Sequence, residues 1–80
     1  MVVVETLTGK RFNIESTSKT VVFEIKEAIM AAYKAEGTHM PVEYQRLVAP
    51  GQRILANNKT LGDYGISGST IITLLRWREA

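Results

Sequence analysis

The chain opens on a β-branched run, Val2-Val3-Val4, in which Val2 and Val4 share one face of a strand and Met1 and Val3 the other. Gly9, in "LTGK", supplies the positive φ that a hairpin loop needs. The next stretch alternates, with Phe12 and Ile14 on one face and Arg11, Asn13 and Glu15 on the other. Two such runs joined by a tight turn predict an antiparallel hairpin. From residue 20 the period changes. Val22, Ile25, Ile29 and Ala32 or Tyr33 recur at three- and four-residue spacing, the mark of one helix face, with Thr20 as its N-cap and Gly37 as its closing glycine. Pro41 holds Met40 extended in the connector that follows. "QRLVA" predicts a strand, "PGQR" a type II turn, Ile54-Leu55 a brief strand and "ANNKTLGDYGISGS" a polar loop. "STIITLLRWREA" closes the chain with the last strand, and the order is ββαββ.

One helix covers one face of a four- or five-stranded sheet and not both. Val2, Val4, Phe12, Ile14, Leu47 and Ile71 form an inward set that meets Val22, Ile25 and Ile29. An outer face in contact with water alone is polar. This one instead carries Val3, Val48, Ile72 and Leu74, with Leu7 nearby at the hairpin tip. An apolar patch of that kind marks an interaction surface. The competing reading is a face covered permanently by a second domain, a dimer partner or the chain's own tail.

Composition narrows the class without naming a function. Eighty residues make a single domain spanning 1–80, with 45% apolar and 22% charged residues, as in an ordinary globule. There is no cysteine, which excludes disulfides, thiolate catalysis and thiolate metal sites and fits an intracellular, cytoplasmic or nuclear setting. No apolar run approaches the ~20 residues of a membrane span, and the start of the chain lacks the basic and apolar regions of a signal peptide. A net charge of +2 is too small to argue nucleic-acid binding by itself.

"TLTGK" (6–10), "QRLVAPGQ" (45–52), "TLGDYGI" (60–66) and "STIITLLRWR" (69–78) stand in the order, and nearly the spacing, of ubiquitin. The chain resembles the ubiquitin family over almost its whole length. That resemblance implies an α+β fold, the ubiquitin-like β-grasp, in which a mixed sheet packs on one helix. It also implies recognition through a leucine-isoleucine-valine patch on the outer sheet face, whose positions fall on Leu7, Val48 and Leu74. Flanking basic positions fall on Arg46 and Arg76, the turn glycine on Gly51, and the family's last-strand histidine on Ile72, which makes the face oilier. Asp63 and Tyr64 fall in a tight turn whose tyrosine hydroxyl bonds nearby backbone.

The departures bear on function as well. Glu79 and Ala80 stand where the family has the Gly-Gly used for attachment, so the expectation is a module not conjugated through its own terminus. The lysine of the commonest degradative chains falls on Gln52, whereas Lys10 and Lys26 match family lysines. Several extra residues lie around "AAYKAEGTHM". Thr73 stands where the family buries a leucine. A buried hydroxyl needs a partner or costs roughly 1–3 kcal/mol, and a local register shift is the other way out.

Candidate chemistry is sparse. His39 is the sole histidine and has no cysteine or carboxylate cluster to make a metal site. Gly9 and Gly51 belong to no phosphate-loop pattern. No nucleophile, base and orienting group assemble, so neither an enzyme nor a cofactor or small-molecule substrate is expected. The reading is a protein-interaction module for proteasome, ligase or ubiquitin-receptor partners. Its alternative is an RNA-binding ubiquitin-like domain of the splicing type, using Lys10, Arg76, Trp77 and Arg78. Trp77 fits either the patch or a cover over the sheet edge.

Overall fold

A computed structural model of the chain describes residues 2–68 and 70–76. Strands β1 (Val2–Thr6) and β2 (Arg11–Ile14) form the expected hairpin, followed by helix α1 (Val22–Ala35), then β3 (Gln45–Ala49), β4 (Arg53–Ile54) and β5 (Ile71–Arg76). Single 3-10 turns at Val42–Tyr44 and Gly62–Tyr64 punctuate the connections. The five strands make one sheet in the order β2-β1-β5-β3-β4. The central pair β1 and β5 is parallel and every other pair antiparallel. This is a ubiquitin-like β-grasp of the α+β class.

The core forms where α1 lays Val22, Ile25 and Ile29 on Val2, Val4, Phe12, Leu47, Ile72 and Leu74 of the sheet. Ala49 of β3, Leu55 just after β4, and Leu61 and Ile66 from the long loop complete it. The helix starts differently from the sequence expectation. Its N-cap is Val21 rather than Thr20, and the Glu24 carboxylate accepts the Val21 N–H at 3.0 Å. Thr20 Oγ1 instead accepts from the Thr17 N–H at 2.9 Å. A side-chain cap is dispensable here because loop carbonyls take the first helical donors: Val22 N–H reaches Lys59 O at 2.8 Å and Phe23 N–H reaches Asn57 O at 3.1 Å.

The other end follows expectation. Gly37, at φ +80°, donates to Lys34 O at 3.0 Å, and Thr38 N–H reaches back to Tyr33 O at 2.9 Å. These two bonds make a Schellman ending. The extra residues noted in the sequence thus fall partly in the last helical turn and partly in the connector, which closes under the sheet through Met40, itself buried.

The last strand departs from the sequence reading. Val4 pairs with Ile72 and Leu47 with Leu74, and both partners point into the core, 0% and 3% exposed. Ile71, expected inside, is 41% exposed, and Thr73 and Leu75 share its outer face half-buried. Reading β5 one residue out reverses every side chain in it. With Ile72 and Leu74 inward the core is wholly aliphatic at this strand, whereas the opposite choice would set a hydroxyl in the middle of it.

Candidate functional site on the outer sheet face

Because α1 packs on one side, the sheet's other side is built only by the strands' alternate residues. Its central row runs Ile54, Val48, Thr73, Glu5, Arg11 across β4, β3, β5, β1 and β2. One row along, Leu75 stands opposite Arg46, and on the other side Val3 lies between Ile71 and Asn13. Aliphatic side chains therefore dominate the β3–β5 half. Ile54 is 57% exposed and Ile71 41%, while Val3, Val48 and Leu75 are half-buried. Apart from Val3 the β1–β2 half is polar, closed by the Arg11 Nε–Glu5 Oε2 contact at 2.8 Å.

The structure does not bring the sequence-expected residues together. Val48 lies on the outer face as expected, with half-buried Arg46 two residues before it. Ile72 and Leu74 do not; both belong to the core, so the expected docking roles of these two are corrected. Leu7 is 80% exposed at the hairpin tip, but it borders a shallow depression of about 180 Å³ with Tyr33, Met40, Leu74 and Arg76, on the helix side of the sheet's end. Arg76 pairs with Gln45 and so alternates onto the side opposite Arg46. Its guanidinium sits 5.9 Å from the Tyr44 ring centroid. Gly51 is exposed in the turn between β3 and β4.

Leu75, Ile71 and Ile54 are the face residues that the sequence reading missed as site members. The signal for the first two was present: a threonine amid four aliphatic neighbours marks the outward row. The brief strand expected at Ile54-Leu55 is Arg53–Ile54, and pairing with Val48 turns Ile54 outward.

Other candidate groups are structural. Tyr64 Oη accepts the Ala56 N–H at 2.8 Å, the tyrosine-to-backbone bond expected of this turn. Asp63 Oδ2 accepts the Thr60 N–H at 2.9 Å while Thr60 Oγ1 accepts the Asp63 N–H at 3.1 Å. The bond from the Thr60 N–H, then that residue's side chain, hold the Asp63 carboxyl below its usual range. Lys10 pairs with Glu36, and its ammonium lies 5.4 Å from the Phe12 ring and 5.5 Å from that of Tyr33. Lys26 is 6% exposed and donates to Asn57 Oδ1 at 2.6 Å; burial, and then the charge of Arg46, lower its pKa. His39 is exposed and meets Tyr44 edge-on at 6.2 Å between centroids.

Among the described residues no group of three or more His, Asp or Glu side chains is placed to hold a metal ion, and no helix is long and apolar enough to cross a membrane. Trp77, Arg78, Glu79 and Ala80, on which the RNA reading and the attachment argument partly rested, lie outside the described residues. The strand order, the single helix and the tyrosine turn thus agree with the four sequence blocks that suggested a relationship. The model of the ubiquitin family matches residues 2–78, nearly the full length, and the chain belongs to that family.

Proposed function

We propose that this ubiquitin-like domain is a non-catalytic interaction module that docks ubiquitin-pathway partners non-covalently through Val48, Leu75, Ile71 and Ile54, with Arg46 at the margin. The observation that carries the reading is the aliphatic half of the outer face, which no described element of the chain overlies. Family membership supports protein recognition in general; the patch chemistry supports a partner offering an aliphatic surface with an acidic flank. Burying one such side chain contributes about 1.5–3 kcal/mol, so a few of them suit micromolar binding once association costs are subtracted.

The test is calorimetry with an amphipathic ubiquitin-receptor helix, aliphatic on one face and acidic at its edge. Val48→Ala and Leu75→Ala are expected to weaken binding by roughly five- to a hundredfold with little loss of stability. Leu74→Ala is expected to do the reverse, destabilising the fold by about 2–5 kcal/mol. Unchanged affinity in both surface variants would remove the patch from consideration.

A further inference from the structure

The five residues Ile71 to Leu75 offer two usable faces: Ile71, Thr73 and Leu75, or Ile72 and Leu74. Either would pack aliphatic side chains against α1, and either would leave aliphatic side chains outside. In the observed pairing Ile72 lies beside Val4 and Leu74 beside Thr6 and Leu47. Advancing β5 by one residue would set Ile71 beside Val4, Thr73 beside Thr6 and Leu47, and Leu75 beside Gln45, all inward. Leu74 would then take the outer place opposite Arg46. Backbone pairing with β1 and β3 would be retained, since a strand's ladder is indifferent to which residue fills each rung.

Two features distinguish the arrangements. One is the turn before β5, where Thr70 N–H donates to Ser67 O at 3.0 Å and Ser67 N–H to Thr70 Oγ1 at 3.3 Å; it would open to release the length of one residue. The other is the side chain at the centre of the inward row, aliphatic in the observed pairing and Thr73 in the alternative. The place Thr73 would enter, held by Leu74 at 3% exposed, lies between Thr6 and Leu47, and the Thr6 hydroxyl is already engaged with Thr8 Oγ1 at 2.9 Å and the Lys10 N–H at 3.2 Å.

We propose that Thr73 sets the register of β5 and thereby selects Leu75 rather than Leu74 as the leucine displayed on the docking face. Thr73 is a positioning residue: it acts through its neighbours. Burying an unpartnered hydroxyl biases the register ratio by roughly five- to a hundredfold, enough to convert two comparable packings into one. The inference rests on the proposed docking role only for its consequence; the register itself is a property of the isolated domain.

The experiment is methyl NMR of the leucine-labelled chain with a soluble paramagnetic agent, comparing wild type with Thr73→Ser, Thr73→Val and Thr73→Leu. Val and Leu fit the half-buried outer position as well as the core one, so both variants fold in either register. Wild type and Thr73→Ser are expected to show broadened Leu75 methyls and shielded Leu74 methyls. Thr73→Val is expected to raise the alternative population by roughly five- to a hundredfold, and Thr73→Leu to expose Leu74 and shield Leu75. If both variants keep Leu74 shielded and Leu75 exposed in a single set of signals, the turn alone holds the register and the proposal is overturned. No partner enters this readout. A swapped register whose helix affinity stays insensitive to alanine at position 74 or 75 would count against the docking role and leave the register claim standing.

Discussion

Lys26 shows how a residue's burial becomes a solution property. Its side chain is sequestered by the fold with one hydrogen bond, to Asn57 Oδ1 at 2.6 Å, and Arg46 adds a like charge. Both effects disfavour the ammonium, burial more than charge, so the folded pKa lies below the ordinary 10.5. Between the folded and the unfolded value the unfolded chain binds more protons. Stability attributable to Lys26 therefore rises as pH climbs through that window, and it is lowest at and below the folded value. Urea denaturation from neutral pH to just above the ordinary lysine value is expected to show the wild type gaining stability relative to Lys26→Met. Contributions common to both proteins cancel in the difference. Parallel curves would mean that Lys26 ionises in the fold as it does in the unfolded chain.

At the scale of elements, the long polar loop is as much a part of the helix as the helix's own first turn. Val22 and Phe23 donate to its carbonyls, and it returns the favour through Leu61 N–H to Thr20 O at 2.9 Å and Gly62 N–H to Ser18 O at 2.8 Å. The last approach is so close that a Cβ on residue 62 would stand 2.8 Å from Ser18 O, a backbone atom that cannot swing aside. Gly62→Ala is thus expected to destabilise the domain by about 1–3 kcal/mol in a denaturant titration, through a forced backbone shift. A loss near zero would show that the 16–20 segment yields freely. These contacts also explain what was legible beforehand. Strand β2 and the helix announced themselves because each has one oily face and one polar one, so period alone fixes type and orientation. At β5 both faces are oily, and period is silent about which turns inward. The turn before β5 and the cost of burying Thr73 separate them, and aligning family positions residue by residue takes account of neither. The helix N-terminus misled for another reason: its donors are satisfied by residues some 35 positions away, as Val22 and Phe23 to Lys59 and Asn57 show, and no local signal encodes that.

For the molecule as a whole, the strand order β2-β1-β5-β3-β4 brings the two ends of the described chain together as the central parallel pair. The outer face is therefore divided between an aliphatic half on β3, β4 and β5 and an ion-paired half on β1 and β2. Three of the domain's cations are committed. Arg11 is held by Glu5, Arg53 donates to Tyr64 O at 2.7 Å, and Lys10 is engaged by Glu36 away at the helix end. A net charge of +2 on a body 32 × 26 × 22 Å supplies little long-range field. Docking driven by Val48, Leu75, Ile71 and Ile54 should accordingly tolerate salt. Affinity for the amphipathic helix is expected to fall by less than about threefold when salt rises fourfold, because surface pairs at the margin are individually weak and screened. Single-stranded RNA held by three phosphate contacts would instead lose roughly twentyfold over the same rise, from a slope of about −0.7 per contact. Titrating the helix and an oligouridylate in parallel decides between the two. A steep slope for RNA together with tight binding at low salt would assign the domain's function to its cations, and a shallow slope for the helix would leave it with the aliphatic half of the sheet.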